Sequence, residues 1–143
     1  MLRIAKLTDY AAGLMVRLSQ SPERRVSAQQ LATELGLPQP TVATLLKKLG
    51  RAGLVVSARG AGGGYCLSRA PKAISLAEVV AAIEGPVMLT ECALEDGRCD
   101  LEQDCVTRGH WRMLNSTVQA AMTAMSLADM AAPPARLRRM DHG

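Results

Sequence analysis

The chain has 143 residues, of which 48% are hydrophobic, enough apolar material for one domain with its own core. One Trp, two Tyr and no Phe leave that core to Leu, Val, Ile, Ala and Met, which favours helices and excludes an aromatic-rich sandwich of sheets. The net charge of +4 hides an asymmetry: residues 1–72 hold 11 Lys and Arg against 3 acids, whereas residues 73–143 hold 6 against 10. The basic half is the half expected to face a polyanion.

In chain order, Thr8 is the expected cap of a first helix from about Asp9 to Gln20, with Ala12, Met15 and Leu18 at helical spacing. Ser27 opens a second, short helix, AQQLATEL, which Gly36 stops. After Gly36-Leu37-Pro38, the stretch PTVATLLKKLGRAGL repeats apolar residues at Val42, Leu45, Leu46 and Leu49. A short helix, a tight glycine turn and a second helix with small, polar or basic exposed positions form a helix-turn-helix pattern. Gln39, Thr41, Thr44 and Lys47 are expected to meet base edges and phosphates, and Lys48 and Arg51 to touch phosphate.

Next, Leu54 to Ser57 and Tyr65 to Leu67 read as two short strands around a glycine-rich tip, a wing, with Arg59 suited to a narrow, electronegative minor groove. Cys66, alone on a wing strand, is expected to be structural. Ser75-Leu-Ala-Glu78 is a capping box leading a helix that Gly85-Pro86 ends. From Val87 to Gly109 the chain is irregular, acidic and cysteine-bearing. Trp111, Leu114, Val118, Ala121, Met122 and Met125 then recur through about Asp129 as a long helix whose apolar stripe calls for a partner helix. Pro133-Pro134 begins a tail expected to fray.

The expected organisation is a winged helix-turn-helix over residues 1–72 and a linking helix over 73–86. A cluster loop over 87–110, a dimerisation helix over 111–130 and a flexible tail over 131–143 follow. The fold class is mainly α with a small β wing. No apolar run approaches the length of about 18 residues that a membrane span requires, and MLRIAKLTDY lacks a cleavable leader pattern, so a cytoplasmic protein with no membrane partner is expected.

In a reducing compartment the cysteines point to metal binding, redox sensing or packing rather than disulfides. Cys92, Cys99 and Cys105 read C-x6-C-x5-C, wider than the paired hooks of structural zinc, and soft thiolates suit an iron-sulfur cluster. Packing alone is the plain alternative, although an irregular polar loop offers little apolar surface. No nucleophile-base pair, phosphate-binding glycine loop or zinc-hydrolase helix is present, so no enzyme is expected.

RGAGGGYCLS after a helix-turn-helix, followed by three cysteines and a long terminal helix, resembles the IscR and NsrR group of bacterial winged-helix iron-sulfur regulators over about residues 1–130. Within that group the chain is most similar to regulators of the SUF iron-sulfur assembly operon. The resemblance implies a homodimer paired through the long helix, pseudo-palindromic promoter DNA, and a cluster on Cys92, Cys99 and Cys105. Where the IscR-like pattern places a ligand histidine, this chain has Arg108. The NsrR-like pattern uses an Asp at the start of the first helix, which matches Asp9 of the partner subunit; His110 is the alternative fourth ligand. The resemblance favours a 2Fe-2S cluster, while the Asp pattern belongs to the branch holding 4Fe-4S. The IscR-like position for a discriminating glutamate is Ala43 here. Two other readings stand beside this one: an iron-sulfur carrier or electron-transfer protein that binds no DNA, and a cluster-free thiol or nitric oxide sensor on the same DNA-binding fold.

Overall fold

The computed structural model describes residues 2–90 and 105–133. Its elements run α1 (Lys6–Ser19), α2 (Ala28–Leu35), α3 (Gln39–Arg51), β1 (Val55–Ala58), β2 (Gly64–Leu67), a 3-10 turn (Pro71–Ala73), α4 (Leu76–Glu84), α5 (Arg108–Ala124) and α6 (Leu127–Ala131). This is the mainly helical, winged architecture that the sequence pattern predicts.

The start of α1 corrects one expectation. Thr8 is not its cap: the helix begins at Lys6, its N-cap Ala5 has no side-chain hydrogen-bonding group, and Thr8 is buried in the first turn. The capping role falls instead to Glu84, the last residue of α4, whose Oε1 accepts from the Ala5 N–H at 3.3 Å and from the Thr8 hydroxyl at 2.6 Å. A carboxylate at a helix N-terminus also meets the positive end of the helix dipole. The cap thereby joins the first helix to the fourth.

Ser27 caps α2 by accepting from the Gln30 N–H at 3.0 Å. Gly36, at φ 65°, ends the helix in the left-handed region, with Leu37 N–H bonding to Ala32 O and Gly36 N–H to Thr33 O. That bond pair is the Schellman arrangement, which turns the chain sharply into α3. Val42, Leu45, Leu46 and Leu49 of α3 enter a core shared with Ala11, Leu14, Met15 and Leu18 of α1 and with Leu31 of α2. Apolar spacing of three and four residues on each helix supplies these inward stripes.

The wing strands pair antiparallel, Val55 opposite Leu67 and Ser57 opposite Tyr65. A single residue adds a third rung, since Val26 exchanges both backbone bonds with Tyr65, at 2.9 and 2.8 Å. The wing is thus fastened to the chain just before α2.

The C-terminal helix also differs from expectation. Instead of one helix from about 111 to 129, α5 starts earlier and stops at Ala124; Met125 is extended, and Ser126 with Asp129 forms a new capping box for α6. Bonds from Leu76 N–H to Met125 O and from Leu127 N–H to Ile74 O stitch the break to the start of α4 and carry Leu127 into the core. Fully burying one Leu is worth about 1.5–3 kcal/mol, enough to offset the interrupted helix. No residue of α5 itself is buried.

Candidate nucleic-acid interface and cysteine region

With its apolar stripe turned inward, α3 leaves Pro40, Ala43, Thr44, Lys47 and Arg51 exposed along the opposite side, with Gln39 exposed at its first turn. Of the residues expected to contact DNA, Gln39, Thr44, Lys47 and Arg51 share this open face. Thr41 and Lys48 are half-buried on its flanks. The Thr44 hydroxyl donates to Pro40 O at 3.0 Å, which fixes its rotamer and leaves its oxygen available as an acceptor. Ala43 sits mid-stripe, so no carboxylate guards this face.

Arg59 is exposed at the wing tip, immediately after β1. From Gly36 to Ala77, a stretch spanning the turn, α3 and the wing, the chain has six Lys and Arg and not one acid. Arg69 is diverted from this set, because its guanidinium bonds Glu78 at 2.6 Å and Ala73 O at 3.0 Å. Of the remaining cations, Lys47 and Arg51 on α3 and Arg59 on the wing are exposed, the kind of charge that binds phosphodiesters. A cleft of about 250 Å³ separates α3 from the wing.

Sequence reasoning missed four participants. Val26 positions the wing, and it is the sole branched aliphatic residue between Leu18 and Leu31, a signal that was present. Arg24 and Arg25 precede it and are exposed beside the wing. Glu84 left no local signal, since its partners Ala5 and Thr8 are more than 75 residues away in sequence.

Of the cysteine trio, Cys92 and Cys99 lie outside the described residues. Cys105 is half-buried with a free thiol, just before the first turn of α5. The Thr107 hydroxyl, 3.5 Å away, together with the backbone N–H groups of Thr107 and Arg108 and the Arg108 charge, holds that thiol below its usual pKa. Arg108 and His110 are both in the first turn of α5, where His110 is exposed. Asp9 is an exposed carboxylate in the first turn of α1. Among the described residues no three His, Cys, Asp or Glu side chains gather into a metal-sized group. An apolar groove of about 390 Å³, between the N-terminal segment, the end of α4 and α5, lies where the chain enters the cysteine segment; Ile4, Val80, Pro86, Met88, Val118 and Met122 line it. Cys66 is a half-buried free thiol on β2, opposite the exposed Val56.

The model of a protein family, Rrf2, described as an iron-dependent transcriptional regulator, matches residues 4–133. The chain belongs to the Rrf2 family. It is therefore a DNA-binding transcriptional regulator and not an enzyme, and its winged fold is the family's. Among Rrf2 relatives, the transcriptional regulator IscR of Aliivibrio salmonicida is 32% identical over 129 residues, covering 87% of this chain and 76% of that one. IscR of Vibrio cholerae is 31% identical over 130 residues, covering 90% and 75%. Among solved Rrf2-like structures, IscR of T. potens superposes with a TM-score of 0.73 at 28% identity, covering 96% of this chain and 93% of that one. CymR (YrzC), the global cysteine regulator of B. subtilis, gives 0.74 at 30% identity, covering 92% and 97%. These findings bear out the IscR and NsrR resemblance. Among the described residues no helix is long and apolar enough to cross a membrane.

Proposed function

We propose that this Rrf2 protein is a cytoplasmic homodimer whose promoter binding is set by an iron-sulfur cluster on Cys92, Cys99 and Cys105, with Asp9 of the partner subunit as fourth ligand. The observation that carries this reading is Cys105, whose thiol is poised toward the thiolate at the entrance to α5. A soft, part-exposed thiolate fits the donor chemistry of cluster iron. When bound, the cluster supplies a centre whose loss or oxidation reports iron-sulfur and oxidative status. Support for the set of three comes from the spacing of the cysteines and from the IscR relatives. The exposed Asp9 carboxylate and its place in the first turn of α1 support its role; His110, exposed on α5, is the alternative.

The route from cysteine segment to reading head runs through this chain's own contacts. The segment leaves α4 at Glu84, and Glu84 holds the start of α1 through Ala5 and Thr8. α1 packs on the core that seats α3. A change in the segment that moves Glu84 therefore moves α1, and with it the spacing of the two α3 helices over their half-sites. Genes for SUF iron-sulfur assembly and a 2Fe-2S cluster are the finer assignments of this reading.

The test is to select duplexes from a random library with cluster-loaded protein, then measure affinity before and after stripping the cluster, and for Cys92→Ala. Coupling of ordinary size changes affinity about 5- to 150-fold. Equal affinity in all three samples overturns the sensing claim.

A second reading has an observation in its favour. The lowered thiol of Cys105 and the fold shared with CymR also suit a cluster-free thiol sensor. Its mark is iron-free protein whose DNA binding follows peroxide and reductant. The carrier reading without DNA binding has lost its ground, since the chain is a winged-helix Rrf2 regulator.

A further inference from the structure

From the cleft between α3 and the wing we infer a seat for one phosphodiester group of the DNA backbone, held by Lys47, Ser57 and Tyr65. This rests on the DNA-binding reading and assigns Ser57 and Tyr65, which the recognition-helix pattern does not reach.

The cleft, of about 250 Å³, runs between Ala43, Lys47 and Gly50 of α3 and Val55, Ser57 and Tyr65 of the wing. Ser57 and Tyr65 stand directly opposite each other on β1 and β2, so both side chains share the face turned toward α3. Tyr65 is locked in place, with its backbone bonded both ways to Val26 and its ring packed against the core.

Other hydroxyls nearby are occupied. Ser68 donates to Gly53 O at 2.6 Å and Thr44 to Pro40 O. By contrast, no hydrogen bond or ion pair to a described residue engages the side chains of Ser57, Tyr65 or Lys47. Two hydroxyl-bearing side chains and a lysine line one cleft whose lining contains no carboxylate, which is a donor set for an anionic oxygen. Gly50 keeps the floor open, since a Cβ there would meet Val55 Cγ2 only at 3.9 Å and the space beyond belongs to the cleft.

Duplex geometry supplies the occupant. A recognition helix in the major groove and a wing in the adjacent minor groove stand on either side of the same sugar-phosphate strand. That strand must pass between them, where this cleft lies.

Fluorescence anisotropy across a salt series, with two duplexes of unrelated sequence, tests the seat. Lys47→Gln is expected to weaken both duplexes alike and to reduce the slope of log affinity against log salt by about 0.9 for each bound subunit. Tyr65→Phe and Ser57→Ala each weaken both duplexes about tenfold or more with the slope unchanged, the effect of one lost hydrogen bond to a charged group. Gly50→Leu, which fills the floor from a helical position with no clash at Cβ, reproduces the loss. Circular dichroism that matches wild type shows the fold intact in Tyr65→Phe, the most conservative variant. Wild-type binding by Tyr65→Phe and Ser57→Ala overturns the seat, as does a Lys47→Gln effect confined to one sequence. A wild-type chain that binds neither duplex sinks the DNA-binding reading and the seat together.

Discussion

At position 64 a side chain has nowhere to go. Gly64 holds φ at 135°, and a Cβ there would stand 2.7 Å from the Val26 carbonyl oxygen, the atom that receives the Tyr65 N–H. Gly64→Ala is therefore expected to cost about 1–3 kcal/mol, with loss of DNA binding as the wing detaches; denaturant unfolding and anisotropy check both. A second residue-scale effect concerns acid. Partial burial pushes the Glu78 carboxyl up, but the hydrogen bond from Arg69, the Ser75 N–H and the Arg69 charge outweigh it and leave the group below its ordinary value of 4.5. The Asp129 carboxyl is likewise lowered from 3.8, by the Ser126 N–H and hydroxyl. A carboxyl lowered in the folded state adds stability that is full above its unfolded value and lost as pH falls through the folded one. The unfolding midpoint is accordingly expected to hold above pH 4.5 and to fall below it. In Arg69→Met, which removes the main partner of Glu78, that fall should be shallower.

Among the elements, α5 is the one with an unfinished surface. Trp111 and Leu114 are 42% and 43% exposed and Met113 63%, on a helix with no buried residue, and Leu2 and Ile4 lie exposed in the segment that shares a groove with it. A second copy of the chain is the occupant that the proposed dimer places there. Leu114→Lys should convert a dimer to a monomer in light scattering; an unchanged mass would remove α5 from the interface. The same helix shows how far sequence reasoning reaches. Ser27, Gly36 and the spacing of Val42 to Leu49 made the helix-turn-helix legible, because every signal is local. The break at Met125 was hidden by an apolar stripe that runs through Met122 and Met125 without a gap, although Ser126-x-x-Asp129 is a readable capping box. Thr8 was misassigned for the opposite reason: its partner, Glu84, is 76 residues away. The wing strands were legible from alternation around the glycines, but the Val26 rung, one residue long, has no period to detect.

For the whole molecule, charge, fold and family agree on a DNA reader. The acid-free stretch from Gly36 to Ala77 supplies α3 and the wing, and the acidic half of the chain carries the trio Cys92, Cys99 and Cys105. The exposure of Gln39, Thr44, Lys47 and Arg51 was legible because it follows from helical period; Lys48 and Thr41 fell on the flanks, about a quarter-turn from the open face. The proposed fourth ligand, Asp9 of the partner subunit, lies far in sequence from the cysteines, so no local pattern ties it to them. The proposed sensing requires the two halves to communicate, and the Glu84 bonds to Ala5 and Thr8 are among the contacts that join them, beside the core packing of Ile74, Val79 and Leu127. The claim on which the rest depends is that Cys92, Cys99 and Cys105 hold iron. Anaerobic purification, with the visible spectrum and counts of iron and sulfide per chain for wild type and Cys92→Ala, tests it most directly. The account predicts thiolate-to-iron bands with about two irons and two sulfides per chain in wild type, both lost in Cys92→Ala. A colourless, iron-free wild type that stays so after reconstitution would contradict it.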